Sequence, residues 1–203
     1  MKTVLITTRG NQFFEVFQRA YLAEGGAPFD LVIYLPERDD VGFRGLGKLV
    51  AGLALVGLGG AFDMLRLKIQ KDFVWQLGGP EPAAALADQD QGAFCARELE
   101  LATLDRKELR EVLLEVQCDV LVSVGAPIIL KAAELNAANI GCLNVHNGRV
   151  PRYRGHFSTF WELSKREQEL WSSIHVMRPK VDEGPVLARV SLPRDKGRGL
   201  LRI

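Results

Sequence analysis

Asn144 and His146 stand two residues apart in "GCLNVHNGRVPRYRG" (141–155), and Asp182 lies 38 residues after Asn144 in "IHVMRPKVDEGPVL" (174–187). Residues two apart on a strand point to the same side. Asn144 and His146 are therefore expected to aim at one spot, just before Gly148, Pro151 and Gly155 turn the chain away. A carboxamide NH2 donates to a developing oxyanion. An imidazole takes up a proton near neutral pH. A carboxylate orients that imidazole, stabilises its cation or holds a water for proton relay. Together the three suit acyl transfer to an amine. A serine nucleophile in a GxSxG setting is absent, and Cys142, although it shares Asn144's strand face, has nothing beside it in sequence to activate a thiolate. Taken singly, a histidine at a strand end is more often a hydrogen-bonded structural group, and an aspartate near a glycine is more often a turn residue. His175, inside a strand, takes the structural reading more readily than His146.

These side chains need a scaffold. "TVLITT" (3–8) and "FDLVIYL" (29–35) read as buried strands, and "NQFFEVFQRAYLAEGG" (11–26) between them as a helix ended by Gly25 and Gly26. "LELATL" (99–104) reads as a short strand. Asp105 and Glu108 then suggest a capping box for a helix over "RKELREVLLEVQ" (106–117). "DVLVSV" (119–124) is expected as a strand, "ILKAAELNAAN" (129–139) as a helix and "GCLNVH" (141–146) as the next strand. A helix over "FSTFWELSKREQEL" (157–170) and a hairpin over 172–192, with Asp182 in its loop, complete the reading. Alternating strands and helices imply an α/β fold: an open, mostly parallel Rossmann-like sheet with helices on both faces and a C-terminal β-hairpin. In such sheets ligands bind beyond the carboxyl ends of the strands. Thr7 to Gly10, Gly125 to Pro127 and His146 to Gly148 all fall there.

The 203 residues fit one large domain, with an apolar fraction of 47% sufficient for a core. A net charge of +1, from 26 basic and 25 acidic side chains, advertises no nucleic-acid partner. Cys95, Cys118 and Cys142 lack metal-type spacing and read as reduced, packed thiols, so a cytoplasmic location and no metal are expected. "MKTVLITTRG" reads as a first strand and not as a signal peptide. Residues 42–92 form an irregular, apolar and Gly-rich insertion. Its stretch "LVAGLALVGLGGAF" (49–62) falls short of the roughly 20 residues a spanning helix needs and carries several glycines. A buried or surface-docked helical insertion is expected there, with no membrane span; association with a membrane or with a second subunit is the other use open to it.

The joint pattern resembles the folate-dependent formyltransferase family. It carries an N-x-H strand end, a Pro-x-Tyr/Phe-Arg-Gly turn and a His-containing strand that leads into a D-x-G loop. Here these are Asn144 and His146, Pro151 to Gly155, His175, and Asp182-Glu183-Gly184. The resemblance is strong from about 119 to 192 and only architectural before that. It implies that Asn144, His146 and Asp182 are catalytic. It implies that a 10-formyltetrahydrofolate cosubstrate is held by Ala126, Pro127, Ile128, Ile129 and Leu130 on one side, and by Arg178, Pro179, Lys180 and Val181 on the other. Arg9, Asn147, Gly148, Tyr153 and Arg154 are the matching acceptor-binding candidates. The implied reaction moves a formyl group to a primary amine of a small metabolite, with a nucleotide-linked amino sugar as first candidate. A 10-formyltetrahydrofolate hydrolase, a non-catalytic folate-binding module and a scaffold built on 49–62 are the alternatives.

Departures accompany the resemblance. His146-Asn147-Gly148 replaces the more usual His-Pro-Ser. "TTRGNQF" (7–13) has one glycine where the purine enzyme carries a Gly-rich phosphate cradle. The tRNA-specific enzymes carry a C-terminal β-barrel, and none is expected within these 203 residues. The chain ends 21 residues after Asp182, before the helices that usually close this fold, so a longer natural chain or a partner subunit is expected.

Overall fold

The computed structural model describes residues 1–37, 93–155 and 158–193. The expected insertion over 42–92, with its apolar stretch 49–62, lies outside them. The elements run β1 (Thr3–Thr7), α1 (Gln12–Ala23), β2 (Leu31–Tyr34), β3 (Glu98–Glu100), α2 (Arg106–Glu115), β4 (Val120–Val124), α3 (Ala132–Leu135), β5 (Gly141–His146), α4 (Ser158–Ser164), β6 (Glu169–Val176) and β7 (Val186–Pro193).

The strands form one seven-stranded sheet in the order β3-β2-β1-β4-β5-β6-β7. The pairs from β3 to β5 are parallel, and β6 and β7 are antiparallel additions. β1 and β2 are continuous β-branched and leucine runs because a parallel strand is covered on both faces. Val4, Ile6, Leu31 and Ile33 pack on one side with Leu109 and Leu113 of α2. Leu5 and Val32 pack on the other with Phe14 of α1 and with Phe29 and Phe94. The open α/β sheet with helices on both faces is thus as the sequence implies. Strand order reverses between β1 and β4, so their carboxyl ends open the crevice that this topology reserves for a ligand.

Three helix ends differ from the sequence reading, each for a local reason. Asp105 does cap α2, accepting from Lys107 N, but Glu108 does not complete the box: it accepts from the Thr103 hydroxyl. The helix expected over 129–139 is confined to Ala132–Leu135. The N–H groups of Asn139 and Ile140 leave it to donate to the carbonyls of Cys118 and Asp119. α4 stops at Ser164 because Arg166 takes a positive φ of 55°, after which the chain enters β6.

Candidate functional site

The register of three strands builds the site. Asn144 on β5 lies opposite Ser123 on β4 and His175 on β6. All three therefore share one face, and His146 follows two residues on. The chain turns after β6, and Asp182, at φ 50°, returns its carboxylate over the same spot.

Four polar groups surround that carboxylate, which is 9% exposed. Gly155 N–H donates to Oδ2 at 2.7 Å and Asn144 Nδ2 donates to Oδ1 at 3.4 Å. His175 Nε2 lies 3.3 Å from Oδ1 and His146 Nδ1 lies 3.5 Å from Oδ2. Burial works to raise the Asp182 pKa, but the hydrogen bonds from His175 and Gly155 and the charge of the two imidazoles outweigh it, so it lies below the usual carboxylate value. For His175, burial works to lower the pKa. The hydrogen bond to Asp182, the Val176 carbonyl and the carboxylate's charge together overcome this and raise it. His175 Nδ1 donates to the Val176 carbonyl at 3.1 Å, so Nε2 is the nitrogen that titrates. That nitrogen also lies 3.2 Å from Asn144 Nδ2. Neutral, it accepts from Asn144; protonated, it donates to Asp182 and releases an Asn144 N–H.

His146 is held in a different way from the one the sequence suggests. Its Nε2 lies 2.9 Å from the Tyr153 carbonyl, which can only accept, so Nε2 carries a proton. Nδ1 faces Asp182. Cys142 plays no part as a nucleophile: burial pushes its thiol up to about 11.

These groups sit in the wall of a cavity of about 610 Å³. The Gly125–Leu130 turn after β4 forms one side, and Met177, Arg178 and Val181 another. Gly125 takes φ 62° and has no room for a side chain, because a Cβ would stand 2.4 Å from the Asn11 amide. Asn11 in turn caps α1 and donates to the Gly125 carbonyl at 3.0 Å, fixing the rim. Apolar Ile128, Ile129 and Val181 in the same wall as polar Asn144 and Asp182 suit a flat heteroaromatic ring with a polar edge, so the residues present fit a pterin. Asn147 also lines the cavity.

Several expected site residues are placed elsewhere. Pro179 and Lys180 lie on the exposed turn beyond the wall. Arg9 is turned to the far half of the sheet, where it pairs with Glu98 and Glu100 and covers the Tyr34 ring. Tyr153 is buried and donates to Glu167, and Arg154 donates to Pro151 O and pairs with Glu183. Both hold the turn that presents Gly155 and act as scaffold instead of ligand contacts. Gly148 packs behind His146. His175 and Ser158 belong to the site and were not among the expected catalytic residues. An antiparallel register pairing Asn144 with His175 is the signal that finds the first.

A family model described as formyl transferase matches residues 79–197. The methionyl-tRNA formyltransferase of Methylobacterium nodulans is 33% identical over 124 residues, covering 60% of this chain and 39% of that protein. The enzyme of the same name from Trichodesmium erythraeum is 34% identical over 86 residues, covering 42% and 26%. The match thus spans well under half the length of these relatives. In architecture the chain is similar to glycinamide ribonucleotide transformylase 1 from Symbiobacterium toebii, with a TM-score of 0.57 at 17% identity, covering 97% of this chain and 76% of that one. With the family model covering more than half of its residues, the chain belongs to the formyl transferase family.

Proposed function

We propose that this domain transfers a formyl group from 10-formyltetrahydrofolate to a primary amine. The observation that carries the reading is the convergence of Asn144, His146 and His175 on one buried carboxylate, Asp182, in the wall of a cavity fit for a pterin. In this reading the Gly125–Leu130 turn and the Arg178–Val181 wall hold the donor, which supplies the formyl carbon. The Asn144 amide donates to the formyl oxygen as negative charge develops there. His146 accepts the amine's proton at Nδ1. Asp182 steadies the resulting cation and, through Gly155, ties the two loops together. In balance, a C–N bond forms to the acceptor, the formyl C–N bond of the donor breaks, and the acceptor's proton replaces the formyl group on the donor nitrogen.

For the acceptor, a nucleotide-linked amino sugar is the first candidate. Arg9 faces away from the cavity, and among the described residues the cation in the cavity wall is Arg178, on the donor side. That suits an acceptor whose phosphates lie some distance from its reacting amine. The experiment is incubation with 10-formyltetrahydrofolate and a panel of amines that includes amino-sugar nucleotides, followed by mass spectrometry. The expected result is a one-formyl mass gain on an amine. Formate release that ignores every amine would replace this reading with a hydrolase, and donor binding without either product would replace it with a binding module.

A further inference from the structure

Ser158, the first residue of α4, is 4% exposed, and its Oγ lies 2.9 Å from the Gly155 carbonyl and 2.9 Å from His146 Nε2. A hydroxyl has one proton, and a carbonyl can only accept. The Ser158 proton is therefore spent on Gly155, and Oγ meets His146 as an acceptor. The Tyr153 carbonyl meets the same nitrogen, also as an acceptor. Two oxygens thus require the ring proton on Nε2 and leave the lone pair of the neutral ring on Nδ1, toward Asp182.

Ser158 can stand there only because residue 148 has no side chain. A Cβ on Gly148 would lie 2.4 Å from Ser158 Cβ, 3.1 Å from its Oγ and 3.2 Å from His146 Nε2. The backbone of Gly148 is not in the left-handed region, so the close approach, and not the conformation, is what demands glycine. Its N–H donates to the His146 carbonyl and its own carbonyl accepts from Ser173 Oγ, which holds this backbone against His146.

We propose that Ser158 is a positioning residue for His146, holding the imidazole with its proton on Nε2, and that Gly148 is the space this contact needs. The kinetic consequence rests on the formyl-transfer reading; the protonation pattern of the ring does not. Ser158 orders the ring in the direction that keeps Nδ1 free to take a proton at the place where Asp182 receives the charge.

The test is ring-nitrogen NMR on 15N-histidine protein, with the pH set so that the His146 ring is neutral. The wild type should carry its proton on Nε2. Ser158→Ala leaves the Tyr153 carbonyl as the one remaining acceptor at Nε2, so the share of the Nε2–H tautomer should fall without vanishing, with kcat lower by about fivefold, the scale of one hydrogen bond. Ser158→Thr, which keeps the hydroxyl, should restore both. Gly148→Ala should cost activity in the wild type and much less in a Ser158→Gly background, because its collision partner is gone. A wild-type ring protonated on Nδ1 overturns the proposal. So does a Ser158→Ala protein with unchanged ring signals and kcat, or a threonine variant no better than alanine. Should no amine be formylated, the ring signals alone still decide for or against Ser158, while the functional reading fails separately. The wild-type measurement decides as well if a variant does not fold.

Discussion

At the carboxyl ends of β1, β2 and β3, Arg9 donates to both Glu98 and Glu100, lies 3.9 Å over the Tyr34 ring, and Tyr34 donates to Glu98. One guanidinium there serves two glutamates in the open, and the three charged side chains are 48% to 65% exposed. At the ends of β4, β5 and β6 one carboxylate, 9% exposed, serves Asn144, His146, His175 and Gly155 N–H together. Water screens the first cluster and can replace any member of it. In the second, removal of one member leaves the others buried without a substitute. Polar residues at strand ends are therefore not equivalent: those that share a single buried partner are poised for chemistry, and those that pair off at the surface close an edge.

The sharpest way to break this contrast is Asn144→Ala. Loss of an oxyanion donor should lower kcat by roughly 10²–10³, with donor binding, followed by calorimetry, retained. Normal turnover in that variant would mean that the shared carboxylate is not the reaction centre. Next comes Asp182→Asn, read by NMR titration of His175. In the wild type His175 should titrate above its ordinary 6.5; without the carboxylate, burial is the dominant influence left and the midpoint should fall below 6.5. A midpoint that stays high would show that Asp182 is not what holds the proton.

A smaller effect concerns stability. His175 binds its proton more readily folded than unfolded, so its contribution is complete below 6.5 and is lost as pH rises through the higher folded value. Asp182 behaves in the opposite sense: its contribution is complete above 3.8 and is lost as pH falls through the lower folded value. Tm should therefore be highest between these two ordinary values, with flanks that flatten in Asp182→Asn; parallel profiles for the two proteins would contradict the coupling. Smallest of all is the double change Glu98→Gln and Glu100→Gln on the closed edge. Thermal melts and kcat should match wild type. A lower KM for a phosphate-bearing acceptor would show that a freed Arg9 can swing to the cavity and would erase the distinction between the two edges.

Much of this was legible in the residues. "GCLNVH" gave the bounds of β5, and its period of two placed Asn144 and His146 on the site side. The Asp182 loop followed from the hairpin around it. What the sequence left open depends on distant partners. His175 joins the site through a cross-strand register that no local pattern encodes. Tyr153 and Arg154 look like ligand contacts in isolation, yet Glu167 and Glu183 claim them. The alanine-rich segment 132–138 has the propensity for a longer helix, but the carbonyls of Cys118 and Asp119 draw its end into the sheet edge. In each case tertiary hydrogen bonding overrode a local preference.

The backbone of Asp182 sits at φ 50°, where most side chains are strained and aspartate and asparagine are tolerated. This narrows what inheritance can do at the position. Most replacements damage the turn and the carboxylate together, whereas asparagine keeps the turn and gives up the charge and one of the two acceptor oxygens. A lineage that lost the need for the reaction while keeping a use for the cavity would drift toward asparagine here. Among related chains, an asparagine at this one position would therefore mark a descendant that kept the shape and gave up the reaction.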